Sequence, residues 1–159
     1  PLMNPAPRAL TPGDAVYVRS STSTTVLAAH ANQSSHHVAA STDFNIGDKV
    51  LLECIDGSLS VKTIDSVATT NITLTTASGV TLALADRIYL LASATTAKLP
   101  SLDNAASISL TASNGFIAGA IAVAVPTTGA PWTGKVKATP TRGCGWGAVS
   151  SCASRAAQT

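Results

Sequence analysis

The strongest constraint on this chain lies in residues 43–92. Four apolar runs, 50–55, 59–67, 72–76 and 87–91, are separated there by turn signals. Runs this short, rich in Val, Ile, Leu and Thr and punctuated by Gly and Asp, specify β-strands. Gly47-Asp48 opens the first run, with Val50, Leu52 and Cys54 on one face and Leu51, Glu53 and Ile55 on the other. A strand apolar on both faces is expected to be buried on both. Asp56-Gly57 reads as a hairpin turn of type I′, which needs positive φ at both central positions. Leu59, Val61 and Thr63 continue the return strand. Ile64 and Val67 break its alternation, so a bulge is expected near residues 63–64. Ile72 and Leu74 then alternate with Thr73 and Thr75, and residues 83–86 read as a turn or a short 3₁₀ piece.

The flanks extend the same pattern. Residues 1–11 hold three prolines and no period, which predicts an extended arm. Pro12-Gly13 is a turn into a strand with Val16 and Val18 on one face. Residues 20–25 read as a polar turn, 25–29 as a return strand, and 31–42 as a loop or weak helix. Residues 94–105 read as a connection, followed by an alternating stretch with Ile108 and Leu110 on one face. In 116–125, Ile117, Ile121, Val123 and Val125 are expected to face inward. Ala118, Ala120, Ala122 and Ala124 would form an outer face that suits close approach of another sheet, a helix or a subunit. Residues 135–138 read as a Lys-edged strand. GDAVYV (13–18), GDKVLL (47–52) and ADRIYL (85–90) share one plan, an Asp after a small residue and then an apolar strand. Short and unevenly spaced, these copies indicate a recurring turn-to-strand device rather than a solenoid repeat.

The fold class is therefore all-β: a small antiparallel barrel or sandwich with an extended N-terminal arm and additional C-terminal strands. The segments are an arm (1–11), a barrel-like module (12–92), further strands packing on it (93–139) and a Gly-rich tail (140–159).

Charge narrows the function classes. Only 11% of residues are charged and the formal net charge is +2, against roughly 25% charged in ordinary soluble domains. Neighbours in an assembly would cover such a surface; a compact domain solvated by Thr and Ser hydroxyls is the alternative. The ten basic residues are scattered, so no nucleic-acid stripe is present. No run of about 18 apolar residues suggests a membrane span, and the N-terminus does not read as a signal peptide. If apolar arm residues and tryptophans anchor partners, the candidates are Leu2, Met3, Leu10, Trp132 and Trp146, although either Trp equally suits capping the open end of a core.

No chemistry emerges from the remaining polar residues. His30, His36 and His37 lie in a polar segment, and adjacent histidines on a strand face opposite ways, so no metal site is expected. Asp14, Asp48, Asp56 and Asp86 occupy turn positions, which explains them without catalysis or a cation. Cys54 reads as a buried free thiol, and Cys144 and Cys152 leave pairing open. No GxSxG or phosphate-binding loop occurs. The expected catalytic, cofactor-binding and metal sets are all empty.

The pattern F-x-I-G-D-x-V-x-L, the Asp-Gly turn, T-I-x-S-V, T-L-T and D-R-I-Y-L resembles small β-modules of tailed-bacteriophage virion proteins. The opening L-T-P-G-D-A-V-Y-V, a polar turn and an Ala-rich return are similar to the start of phage capsid decoration (cement) proteins. The resemblance covers residues 10–92. It implies a non-enzymatic protein on the outer capsid surface of the virion, homo-oligomeric with a trimer favoured, whose partner is the major capsid protein or another virion protein. No nucleic-acid or membrane partner is implied. A tail, baseplate or head-to-tail component is the first alternative, and a carbohydrate-binding or adhesin module the second; the latter would need exposed aromatics from among Tyr17, Tyr89, Trp132 and Trp146.

Overall fold

The computed structural model describes residues 9–100, 108–112 and 114–137. Ten strands follow in order: β1 (Ala15–Thr25), β2 (His30–Ala31), β3 (Ser35–His37), β4 (Lys49–Glu53), β5 (Leu59–Ala68), β6 (Asn71–Leu74), β7 (Thr81–Leu82), β8 (Arg87–Thr96), β9 (Ile121–Val125) and β10 (Trp132–Lys135). The fold is all-β. Eight strands form a sheet in the order β10-β9-β1-β8-β4-β5-β6-β3, and β2 pairs with β7 separately. The expected barrel is not closed, because β10 and β3 end the order without pairing to each other. The expected arm falls largely in residues 1–8, outside the described residues.

Four turns lead four strands with one shared geometry. They occupy residues 11–14, 45–48, 83–86 and 117–120. In each, the fourth amide donates to the first carbonyl, at 3.1, 3.2, 3.2 and 3.0 Å. The third residue has positive φ: Gly13 94°, Gly47 88°, Ala85 74° and Gly119 88°, as a type II turn requires. That third residue donates to the carbonyl of a strand partner, respectively Ala97, Ile64, Val26 and Val136, at 2.8–2.9 Å. The same partner's amide donates back to the fourth residue's carbonyl, again at 2.8–2.9 Å. In the first three turns the Asp carboxylate also accepts the first residue's amide: Thr11 to Asp14 at 2.9 Å, Asn45 to Asp48 at 2.8 Å and Ala83 to Asp86 at 2.7 Å. The fourth turn carries Ala120 where the others carry Asp.

These turns reveal a tandem duplication. Gly13 to Ala85 and Gly47 to Gly119 are both steps of 72 residues, and the strand registers repeat at that offset. β1 meets β9 with Tyr17 opposite Val123 and Val16 opposite Ala124; β8 meets β4 with Tyr89 opposite Leu51 and Ile88 opposite Leu52. The β4–β5 hairpin places Leu52 opposite Ser60, and the β9–β10 hairpin places Ala124 opposite Trp132. Gly57 and Gly129, again 72 apart, have φ of 90° and 100°.

The chain divides into two compact units, Pro1–Val18 with Ser93–Thr159, and Arg19–Ala92. Each unit thus joins the body of one copy to the leading strand of the other. The core of the first unit gathers Leu10, Val16, Phe116, Ala122, Ala124 and Val136. Their counterparts Leu82, Ile88, Phe44, Val50, Leu52 and Ile64 sit in the core of the second. Two of the pairs trade volume: where the second unit sets Leu52 across from Ser60, the first sets Ala124 across from Trp132. A small residue beside a large one fills the same slot in either order.

Several local expectations change. Residues 20–25 are strand, not turn: β1 continues to Thr25 because β-branched Thr suits a pleated backbone. Residues 31–42 contain β3 and a Val26–Val38 bridge rather than a loop or weak helix. The connection expected from residue 94 begins later, since β8 runs to Thr96 and Ala97 bridges Leu110. The Ala face of β9 points into the core, where Ala122 and Ala124 pack with Phe116 and Trp132, while Ile117 is 62% exposed. Bulky partners from elsewhere in the unit, not an outside surface, use the space that Ala leaves. The Lys-edged strand lies earlier, at Trp132–Lys135. The Asp56-Gly57 hairpin forms, but only Gly57 has positive φ. Gly57 donates to Cys54 at 2.9 Å and Cys54 to Ser58 at 3.0 Å, the pattern of a type I turn closed by a left-handed Gly. The register shift in β5 falls between Ile64 and Ser66, letting Ile64 and Val67 both reach the core.

Candidate functional site

The recurring aspartates are structural. Asp14 is buried, and its second oxygen accepts both the amide and the hydroxyl of Thr127. Burial pushes the Asp14 carboxyl up, but the bonds from Thr11 and Thr127 together outweigh it and hold the carboxyl below its ordinary value. Asp86, also buried, accepts the Ile55 amide at 2.8 Å with its second oxygen. Ile55 and Thr127 are counterparts at the 72-residue offset, so in each unit one carboxylate ties a leading turn to the opposite hairpin. Asp48 is only partly buried and serves its own turn. Among the described residues, no group of three or more His, Cys, Asp or Glu is placed to hold a metal ion.

Cys54 is a buried free thiol. Burial first, then the Asp86 and Asp56 carboxylates, push it up to about 11. A thiol so protonated is a poor nucleophile at neutral pH. Cys144 and Cys152 lie outside the described residues.

The histidines occupy one short segment. His36 in β3 is fully buried, while His37 beside it is exposed and lies 3.3 Å from Asn71 Oδ1. Their opposite orientations follow from strand alternation. The His30 ring meets the His36 ring edge-on, with centroids 5.2 Å apart.

Of the partner-contact candidates, Leu10 is 0% and Trp132 5% exposed, both inside the first unit's core. Both side chains pack in that cluster with Val16 and Phe116. Leu2, Met3 and Trp146 lie outside the described residues. No aromatic platform for a sugar forms from the described candidates. Trp132 is buried, Tyr17 is partly buried in β1, and Arg19 lies over the Tyr89 ring at 4.3 Å while bonding Glu53 at 2.8 Å.

The exposed apolar side chains sit elsewhere. Ile55 at 85%, Ile46 at 71% and Leu84 at 64% are the most exposed large apolar side chains among the described residues, ahead of Ile117, Leu99 and Leu27. The first three occupy turn tips: Ile46 and Leu84 are second residues of the leading turns, and Ile55 lies in the β4–β5 hairpin. Strand alternation had put Ile55 on a strand face; the hairpin begins one residue sooner. Apolar residues inside Gly- and Asp-marked turns, where polar ones are usual, are the sequence signal that locates this set.

The chain matches no protein-family model, no curated protein and no solved structure.

Proposed function

We propose that this protein is a non-enzymatic structural component that works by attachment, as a decoration or cement protein does on a phage capsid. The supporting observation is the exposure of Ile46, Ile55 and Leu84 at turn tips in a chain with 11% charged residues. Protruding apolar side chains on a weakly charged surface gain free energy by docking, about 25 cal/mol for each Å² covered. Well-packed cores beneath the tips present them on rigid supports, which lowers the ordering cost of binding.

Sedimentation velocity across a range of concentrations provides a first test, with Ile46→Ser/Ile55→Ser/Leu84→Ser as the comparison. Self-association of the wild type, trimer favoured, and a monomeric variant with an unchanged melting temperature are expected. A wild type that stays monomeric at high concentration contradicts the self-associating form of the proposal. Cryo-electron microscopy of particles from the native source tests the shell itself. Hundreds of copies per particle are expected for decoration, whereas a few copies at one vertex would move the assignment to a tail or connector component.

A further inference from the structure

We propose that residues 30–37 form an acid-sensitive latch, in which protonation of His36 releases β3 from β6. The inference is independent of the proposed attachment role.

The duplication identifies the anomaly. Residue 36 corresponds to Ile108 in the second copy, and both side chains are buried, at 0% and 2% exposure. One copy thus places a titratable ring where the other places a hydrocarbon. Neither ring nitrogen of His36 makes a hydrogen bond of normal geometry. Its cross-strand neighbour in β6 is Ile72, and no residue of β6 is titratable. Among the described residues, the one charge-bearing group acting on it is His30, and the Gln33 backbone is the one polar group that favours its charged form. A proton on His36 would therefore place a charge in an apolar site beside a second imidazole.

His30 also touches this strand. Its Nδ1 lies 3.2 Å from Gln33 Oε1, and its Nε2 accepts the His37 amide at 3.3 Å. A charge on His36 loosens β3, which is three residues long and ends the sheet order; β3 is held by its pairing with β6 and by the Leu27 amide, which donates to the His37 carbonyl at 2.9 Å. His37 faces the other way, toward Asn71.

The direction of the pH dependence follows. Burial, then His30, lowers the His36 pKa below its ordinary value. The detached strand binds the proton more readily than the docked one. The stabilisation is therefore complete above the free histidine pKa of roughly 6.5 and is lost as pH falls below it, until the docked ring itself protonates. Opening should increase by up to about tenfold per pH unit in that window.

Amide hydrogen exchange on the intact chain at pH 7.5, 6.5 and 5.5, corrected for the intrinsic exchange rate, tests this. The reporters are the Val38 amide, bonded to Thr70, and the Leu74 amide, bonded to Ser34. The Lys98 and Thr111 amides of the second copy, bonded to Ser109 and Thr96, are the internal control. Opening at the first pair should rise about fivefold between pH 6.5 and 5.5 while the control stays level. His36→Ile, copying the second copy, should cut the dependence to less than half, and His37→Asn should leave it in place. If His36→Ile fails to fold, His36→Gln serves, with weaker protection at every pH and the slope reduced likewise. Equal pH responses in the two copies of the wild type, or a slope that survives above half in the position-36 variant, would overturn the proposal.

Discussion

At the scale of single residues, the leading turns separate two energetic contributions. The first is conformational. Gly13 and Gly47 adopt positive φ with nothing within 4 Å of an added Cβ, so a substitution there meets only backbone strain. Gly47→Ala should destabilise by roughly 1 kcal/mol. Ala85 occupies the same position in its turn with φ of 74° and already carries that strain, so Ala85→Gly should be neutral or stabilising by up to about 1 kcal/mol. Urea denaturation of both variants checks the opposite signs. The second contribution is the carboxylate. Asp86 is buried and satisfies two amides, whereas the partly buried Asp48 satisfies one. Asp86→Ala should cost roughly 2–4 kcal/mol, because two amides lose their partner in a buried setting. Asp48→Ala should cost about 1 kcal/mol or less, since water replaces the carboxylate. Equal losses in chemical denaturation would show that the second oxygen of Asp86 contributes nothing.

At the scale of elements, the two hairpins solve one packing problem in opposite ways. Trp132 is large where Ser60 is small, and Ala124 is small where Leu52 is large. Trp132→Ser alone should leave a cavity and cost about 3–5 kcal/mol, and Ala124→Leu alone should overpack by about 1–3 kcal/mol. The double variant, which copies the sister hairpin, should be more stable than the sum of the two losses. A double-mutant cycle measured by thermal unfolding gives that coupling, and strict additivity would refute the exchange. Elements of this kind were partly legible in the sequence. The Gly47-Asp48 strand, the Asp-Gly hairpin, the β5 irregularity and the Asp turn device all follow from local rules, since each depends on residues close in the chain. The Ala face of β9 was read as an outer one, whereas Trp132 and Phe116, which fill the space beside it, arrive from other segments; Val123 on the opposite face is buried as expected. The fourth leading turn went unseen because Ala120 replaces the Asp that marks the others; its Ala120-to-Ile117 bond, the positive φ of Gly119 and its bonds to Val136 disclose it. Exposed Ile55 was misread for the related reason that strand alternation is silent about where a hairpin starts.

At the scale of the whole molecule, the duplication has its leading strands exchanged between units. The first copy's body, 19–82, is completed by residues 83–92 from the second copy. A fragment of residues 9–80 therefore lacks the strand that pairs with β4. It should remain unfolded as a monomer, or fold by swapping β1 between two copies of itself. Circular dichroism with analytical ultracentrifugation distinguishes these states, and a folded monomeric fragment would show that the exchange is dispensable.

The Ala15–Val125 pairing also sets a timetable for synthesis. When the first residues of β1 leave the ribosome, the strand they will join has not been translated, and at about 5–20 residues per second the wait is roughly 5–20 s. Through that interval a hydrogen-bonding edge with Val16 and Val18 stays uncovered in the nascent chain. Slower elongation should thus lower the soluble yield of this protein, and nascent-chain holding factors should restore it.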